Sequence, residues 1–134
     1  MSAKDVLKLM KSKNIEFVDL RFTDPRGKLQ HLTMDTTIVD EGMLNDGVFF
    51  DGSSIAGWKA INESDMILKP DLSRKVIDPY TSHNTLILFC DILDAVKRDP
   101  YERDPRGIAK KAEAYLKKTG IGDTAYFGPE PEFF

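Results

Sequence analysis

At 134 residues, 41% apolar and 31% charged, the chain has the size and balance of a folded domain, which excludes a disordered or fibrous segment. Nineteen Lys and Arg against 22 Asp and Glu give a formal net charge of −3. No basic cluster interleaves with aromatics, so a nucleic-acid partner is not expected. The longest apolar run, Leu86 to Cys90, is too short to cross a bilayer, and Lys4, Asp5, Lys8, Lys11 and Lys13 break any leader pattern. The expectation is a cytoplasmic protein with no membrane partner.

Ser2 with Asp5 three residues on reads as a capping box, and Val6, Leu9, Met10 and Lys13 recur at helical spacing until Asn14. Glu16 to Phe22 alternates, with Val18, Leu20 and Phe22 on one face and Phe17, Asp19 and Arg21 on the other. Asp24-Pro25-Arg26-Gly27 is turn chemistry, and Leu29 to Met34 returns as the second strand of a hairpin. Val39 to Gly57 holds four glycines and no long periodic run, which predicts a helical turn and then an extended loop. Met66-Ile67-Leu68 predicts a short strand ended by Pro70. Thr85 to Leu93 is apolar apart from Asp91, the pattern of a central strand covered on both faces, and Cys90 within it reads as a buried, inert thiol.

Arg98 to Pro105 is polar and punctuated by proline, which places a domain boundary there, dividing residues 1–100 from 101–134. Asp104 and Pro105 make an N-cap and first helical position; Ile108, Ala112, Tyr115 and Leu116 form an apolar face; Gly120 ends the helix. Thr124 to Phe127 then begins a strand that runs towards Phe133 and Phe134. An unpaired apolar edge there is a liability, so further chain is expected after Phe134. Asp-Pro-Arg-Gly occurs at 24–27 and again at 104–107, in contexts too different for an internal repeat.

Four places could carry chemistry. Glu130 and Glu132, on a strand, would point to one face with Cα atoms roughly 6.5–7 Å apart. That spacing suits two neighbouring hard divalent cations, and it equally suits a solvated strand face. Asp51, beside Gly52, Ser53 and Ser54, could take a proton or hold a cation, or simply close an Asp-Gly turn. Trp58, the lone tryptophan, could anchor a core or line a ligand or subunit surface. His31 and His83 have no ligand-spaced partners and read as structural, while Asp19 and Arg21 predict cross-strand ion pairs. No Gly-rich phosphate loop is present.

Phe50-Asp51-Gly52-Ser53-Ser54, the spacer Ile55 to Asn62, Glu63-Ser64-Asp65-Met66-Ile67-Leu68 and Gly128-Pro129-Glu130-Pro131-Glu132-Phe133-Phe134, taken in order, resemble the glutamine synthetase family, of the bacterial dodecameric type. Phe17 to Asp24 and Gly57-Trp58-Lys59 resemble it too, so the likeness runs through the whole chain. The resemblance implies an α+β fold: a β-grasp N-terminal domain, followed by the first helix and strand of a truncated catalytic domain. It also implies an ATP-dependent ligase that joins glutamate and ammonia through a γ-glutamyl phosphate, served by two Mg²⁺ or Mn²⁺ ions. By motif match Glu132 would ligate the cation near glutamate and Glu130 the one near the ATP phosphates. Asp51, acting from the neighbouring subunit, would bind ammonium and take the ammonium's proton, with Ser54 beside it and Trp58 nearby, in two stacked rings of six subunits. The 134 residues alone are expected to be inactive. Two other readings are a stand-alone, non-catalytic module that docks into a complete synthetase, and a γ-glutamyl-polyamine synthetase of the same fold. Asp51 argues against the second, since an ammonium-binding carboxylate fits ammonia as nucleophile.

Overall fold

A computed structural model describes residues 1–58 and 64–134. Helix α1 (Ala3–Ser12) begins as its sequence dictates: Ser2 Oγ accepts from the Asp5 N–H, and the Asp5 carboxylate accepts from the Ser2 N–H at 3.0 Å. Strands β1 (Phe17–Thr23) and β2 (Leu29–Asp35) form an antiparallel hairpin. Its turn is closed by Asp24 Oδ1, which accepts from the N–H groups of Arg26 and Lys28, both at 2.9 Å. Helix α2 (Glu41–Asp46) is capped by Asp40 and leads into β3 (Val48–Asp51). Strands β4 (Asp65–Ile77) and β5 (Thr85–Asp94) and helix α3 (Pro105–Thr119) complete the regular elements.

The five strands make one sheet in the order β2-β1-β5-β4-β3. β1 and β5 run parallel, and the other three neighbouring pairs are antiparallel. This is the expected α+β arrangement, with β5 at the centre. Val18, Leu20 and Phe22 of β1, Leu86, Leu88, Cys90 and Ile92 of β5, and Met66 and Leu68 of β4 form the core with Val6 and Met10 of α1 and Leu44 of α2. Full burial pushes the Cys90 thiol up, well away from the range where a thiolate forms, so it is the inert thiol its setting predicted.

Several expectations are corrected. The stretch expected to be loop after the helical turn contains β3, which pairs through Val48–Asp51 with Asp65–Leu68 of β4; cross-strand pairing, not propensity, makes it a strand. β4 does not stop at Pro70 but continues to Ile77, with a register shift between Pro70 and Lys75. β3 reaches only Leu68, so beyond it β4 is an edge on that side, where a proline is tolerated. Asp19 and Arg21 bond to each other along β1, Nε to Oδ2 at 2.7 Å. The cross-strand partners of Asp19 are instead His31 and Thr33, both at 2.8 Å, while Arg21 reaches Asp78 at 3.0 Å. His31 and His83 are structural, the latter bonded to Glu16 at 3.1 Å.

α3 carries the predicted cap but buries none of its residues. It is held to the sheet by polar contacts: Arg106 to Asp71 and Asp91, and Lys110 to Asp91. The strand expected from Thr124 onwards does not form; residues 124–134 have no regular structure. A strand needs a neighbour to receive its N–H and C=O groups, and this segment makes no backbone hydrogen bond to a strand among the described residues.

Candidate functional site

β3 delivers Asp51 at its final residue, where the chain turns into a single 3-10 turn, Gly52–Ser54. Asp51 Oδ1 accepts from the Ser53 N–H at 2.9 Å and from the Ser53 hydroxyl at 2.6 Å, so the carboxylate caps the turn that follows it. These bonds, with a further one from Ser64, hold the exposed Asp51 carboxyl below its ordinary value. It is therefore an anion at neutral pH, good at holding a cation and a weak acceptor of protons. The turn reading and the cation-binding reading of Asp51 are thus compatible: the turn fixes one oxygen and leaves the group exposed. Ser54 is exposed beside it.

The turn is seated by a close approach that only glycine permits. Gly52 donates its N–H to Ser64 O at 2.7 Å, and a Cβ at residue 52 would lie 2.2 Å from Met66 Sδ. Beyond it the chain returns to Trp58, which is buried. Its ring stacks on Phe22 at 5.7 Å and meets Phe50 at 6.1 Å and Tyr101 at 5.9 Å, both edge-on. Of the two roles open for Trp58, the structure shows the core anchor. Its indole N–H has no acceptor among the described residues.

Glu130 and Glu132 lie in the exposed segment that follows α3, without the strand that would have aligned them on one face. The structure does not bring Asp51 together with either glutamate through any hydrogen bond or ion pair among the described residues. Nor do the described residues gather three or more His, Cys, Asp or Glu in a group that could hold a metal. The cluster Glu63-Ser64-Asp65 lies partly outside them, as do Lys59 and Asn62, and Glu63 is not described. No helix among the described residues is long and apolar enough to cross a membrane.

Two residues that sequence reasoning missed also touch the Asp51 loop. The Tyr101 hydroxyl donates to Trp58 O at 3.0 Å, and Arg103 Nη1 donates to Gly57 O at 3.1 Å. They lie 43 and 46 residues along the chain from their acceptors, a separation at which no local pattern signals contact.

A parallel β1–β5 pair at the heart of a mixed five-stranded sheet, with a helix packed on one face, is the β-grasp class. Residues 14–95 match the glutamine synthetase β-grasp domain and residues 102–134 the glutamine synthetase catalytic domain, and the chain belongs to the glutamine synthetase family. It is 63% identical over 133 residues to a glutamine synthetase of Rhizobium meliloti (strain 1021), an alignment covering 99% of this chain and 28% of that protein. A protein of Cupriavidus pinatubonensis named 3-hydroxylaminophenol mutase is 55% identical over 133 residues, again 99% of this chain and 28% of that one. Among solved structures, the cryo-EM structure of Plasmodium falciparum glutamine synthetase superimposes with a TM-score of 0.81 at 26% identity, over 92% of this chain and 24% of that one. The chain thus spans 28% of the length of these two sequence relatives and 24% of that of the solved structure.

Proposed function

We propose that these residues supply two parts of the site of an ATP-dependent glutamate–ammonia ligase, which forms glutamine through a γ-glutamyl phosphate. The observation that carries this reading is Asp51: an exposed carboxylate, kept ionised by Ser53 and Ser64 and fixed on a turn rooted in the sheet. Such a group can hold a small cation, and the family's ligase chemistry makes ammonium the one we propose. In this reading Asp51 holds ammonium, Ser54 offers it a hydroxyl, and the attacking amine is freed when its proton leaves towards Asp51. The lowered acidity range of Asp51 means that binding is its stronger contribution and proton acceptance the weaker one.

Glu130 and Glu132 would each ligate one of two Mg²⁺ or Mn²⁺ ions. Their chemistry fits: both are hard oxygen donors, exposed, with no ion pair among the described residues. One carboxylate per ion leaves room for water and substrate phosphate oxygens, the way Mg²⁺ prefers to bind. When bound, the ions would neutralise charge on the transferring phosphoryl group. Three carboxylates do not make a complete ligase site, and the chain alone is expected to be inactive.

The same reading divides the chain into a β-grasp unit, residues 1–100, and the opening of a catalytic unit, residues 101–134. It places Asp51 against the glutamates of a neighbouring subunit in a cytoplasmic assembly of two stacked six-membered rings, with glutamate, ammonium and ATP as small-molecule partners. The test is Asp51→Asn in the assembled ligase. The KM for ammonium should rise by about tenfold or more, as expected when a charge-assisted contact is lost, with the KM for ATP little changed. An unchanged ammonium KM would sink the assignment.

A further inference from the structure

The loop that carries Asp51 and Ser54 has two ends that are secured differently. Its first end is part of the sheet, through β3 and the Gly52 to Ser64 hydrogen bond. Its second end, Gly57 and Trp58, belongs to no strand. The Trp58 ring is held by packing alone, because its N–H finds no acceptor among the described residues. The backbone there presents two consecutive carbonyls, and each receives one side-chain donor from the connector between β5 and α3: Arg103 on Gly57, Tyr101 on Trp58.

That connector is itself rigidly placed. The Tyr101 N–H donates to Ile92 O at 2.9 Å, and Pro100 bridges to Leu93. One residue past Arg103, the buried Asp104 accepts from the Ile92 N–H at 3.2 Å and from the Arg106 N–H at 3.0 Å. Tyr101 and Arg103 therefore project from a segment pinned on both sides to the central strand. Two donors on a fixed bar, meeting two adjacent carbonyls of a stretch whose Trp58 N–H bonds only locally, to Ile55 O at 3.2 Å, form a clasp.

The geometry points to Tyr101 and Arg103 as positioning residues for the Asp51 loop: they hold its far end to the β5–α3 connector and so set where the carboxylate stands. That the cation held there is ammonium rests on the ligase reading above; the clasp itself does not. Neither residue touches a substrate, and neither takes part in a chemical step. Because the connector leads directly into α3, the clasp also makes the position of the ammonium-holding loop depend on the position of that helix.

The experiment uses two variants that each remove one donor and keep the bulk, Tyr101→Phe and Arg103→Met, and the pair combined. Amide exchange is read by mass spectrometry over residues 52–58, with the β5 amides as the internal control. Trp58 is the only tryptophan among these 134 residues, so in this chain quenching of its emission by acrylamide reads the same loop. Each single variant should speed exchange over 52–58 by roughly two- to tenfold, the effect of one hydrogen bond, and the pair by more, while β5 is unmoved. Quenching of Trp58 should rise in step. Unchanged loop exchange, or equal acceleration in β5, overturns the clasp. In the assembled ligase the paired variant should raise the KM for ammonium several-fold and leave that for ATP alone; a loosened loop with an unchanged ammonium KM overturns the positioning role. Failure of Asp51→Asn to affect ammonium would count against the ligase reading and leave the exchange result standing, so the two ideas fail separately.

Discussion

The chain contains Asp-Pro-Arg-Gly twice, and the two copies do different work. At residues 24–27 it closes the β1–β2 hairpin; at 104–107 it opens α3. The local chemistry is the same in both. Each aspartate accepts from the N–H of the arginine two residues on, at 2.9 Å for Asp24 and 3.0 Å for Asp104. What differs is the surroundings. Asp24 adds the Lys28 N–H and the Gln30 side chain, both from its own hairpin. Asp104 instead reaches across to the backbone of the central strand. Hydrogen bonds, the one from Gln30 foremost, hold Asp24 below its ordinary value, whereas burial pushes Asp104 above its own. Four residues determine a turn; the fold decides whether that turn is an ending or an anchor.

The comparison is most exposed to test at the aspartates. Asp104→Ala removes a helix cap and leaves the buried Ile92 N–H without its side-chain acceptor, so it should cost about 2–4 kcal/mol in urea denaturation. Asp24→Ala should cost less, because the amides it frees lie in a surface turn that water can reach. Equal losses would mean that the anchor to β5 adds nothing.

The glycines should respond with opposite signs. Gly27 sits at φ +83°, where an alanine side chain is strained, so Gly27→Ala should destabilise by about 1–2 kcal/mol. Gly107 lies inside α3, and its added Cβ would make ordinary contact with Asp104 Cβ at 3.5 Å. Gly107→Ala should therefore stabilise by about 0.5–1 kcal/mol, through helix propensity.

The smallest difference is in pH dependence. A depressed carboxyl stabilises above its ordinary value, about pH 3.9, and that stability is lost as pH falls through the folded-state value. A raised one stabilises below its ordinary value and loses that contribution as pH rises through the folded-state value. Relative to the parent, Asp24→Asn should thus become less stable between about pH 3 and pH 7, while Asp104→Asn should become relatively more stable over the same range. Parallel slopes in denaturation across that range would contradict the two opposite settings.

Much of the fold was legible because its signals are local. Ser2 with Asp5, the alternation of Val18, Leu20 and Phe22, and the apolar run at Leu86–Cys90 each declare an element within a few residues. β3 was not legible: Val48 to Asp51 lies among glycines and becomes a strand only because β4 accepts it. Pro70 misled for a related reason, since whether a proline ends a strand depends on which side is paired. The segment from Thr124 shows the limit of propensity, with strand-like residues and no backbone hydrogen bond to a strand among the described residues. At the candidate site, Asp51 and Ser54 were legible as a motif and their turn as Asp-Gly chemistry. The contacts of Tyr101 and Arg103 were not, because they join residues more than 40 positions apart.

Cys90, the only cysteine of the chain, lies sealed beneath the sheet with its thiol held protonated. Chemically, the surface is therefore blank to sulfhydryl reagents. A cysteine placed on an exposed position, Ala56 in the Asp51 loop for example, would be the sole reactive thiol among these 134 residues, so a single spin label or dye could be attached there in one step without first engineering Cys90 away.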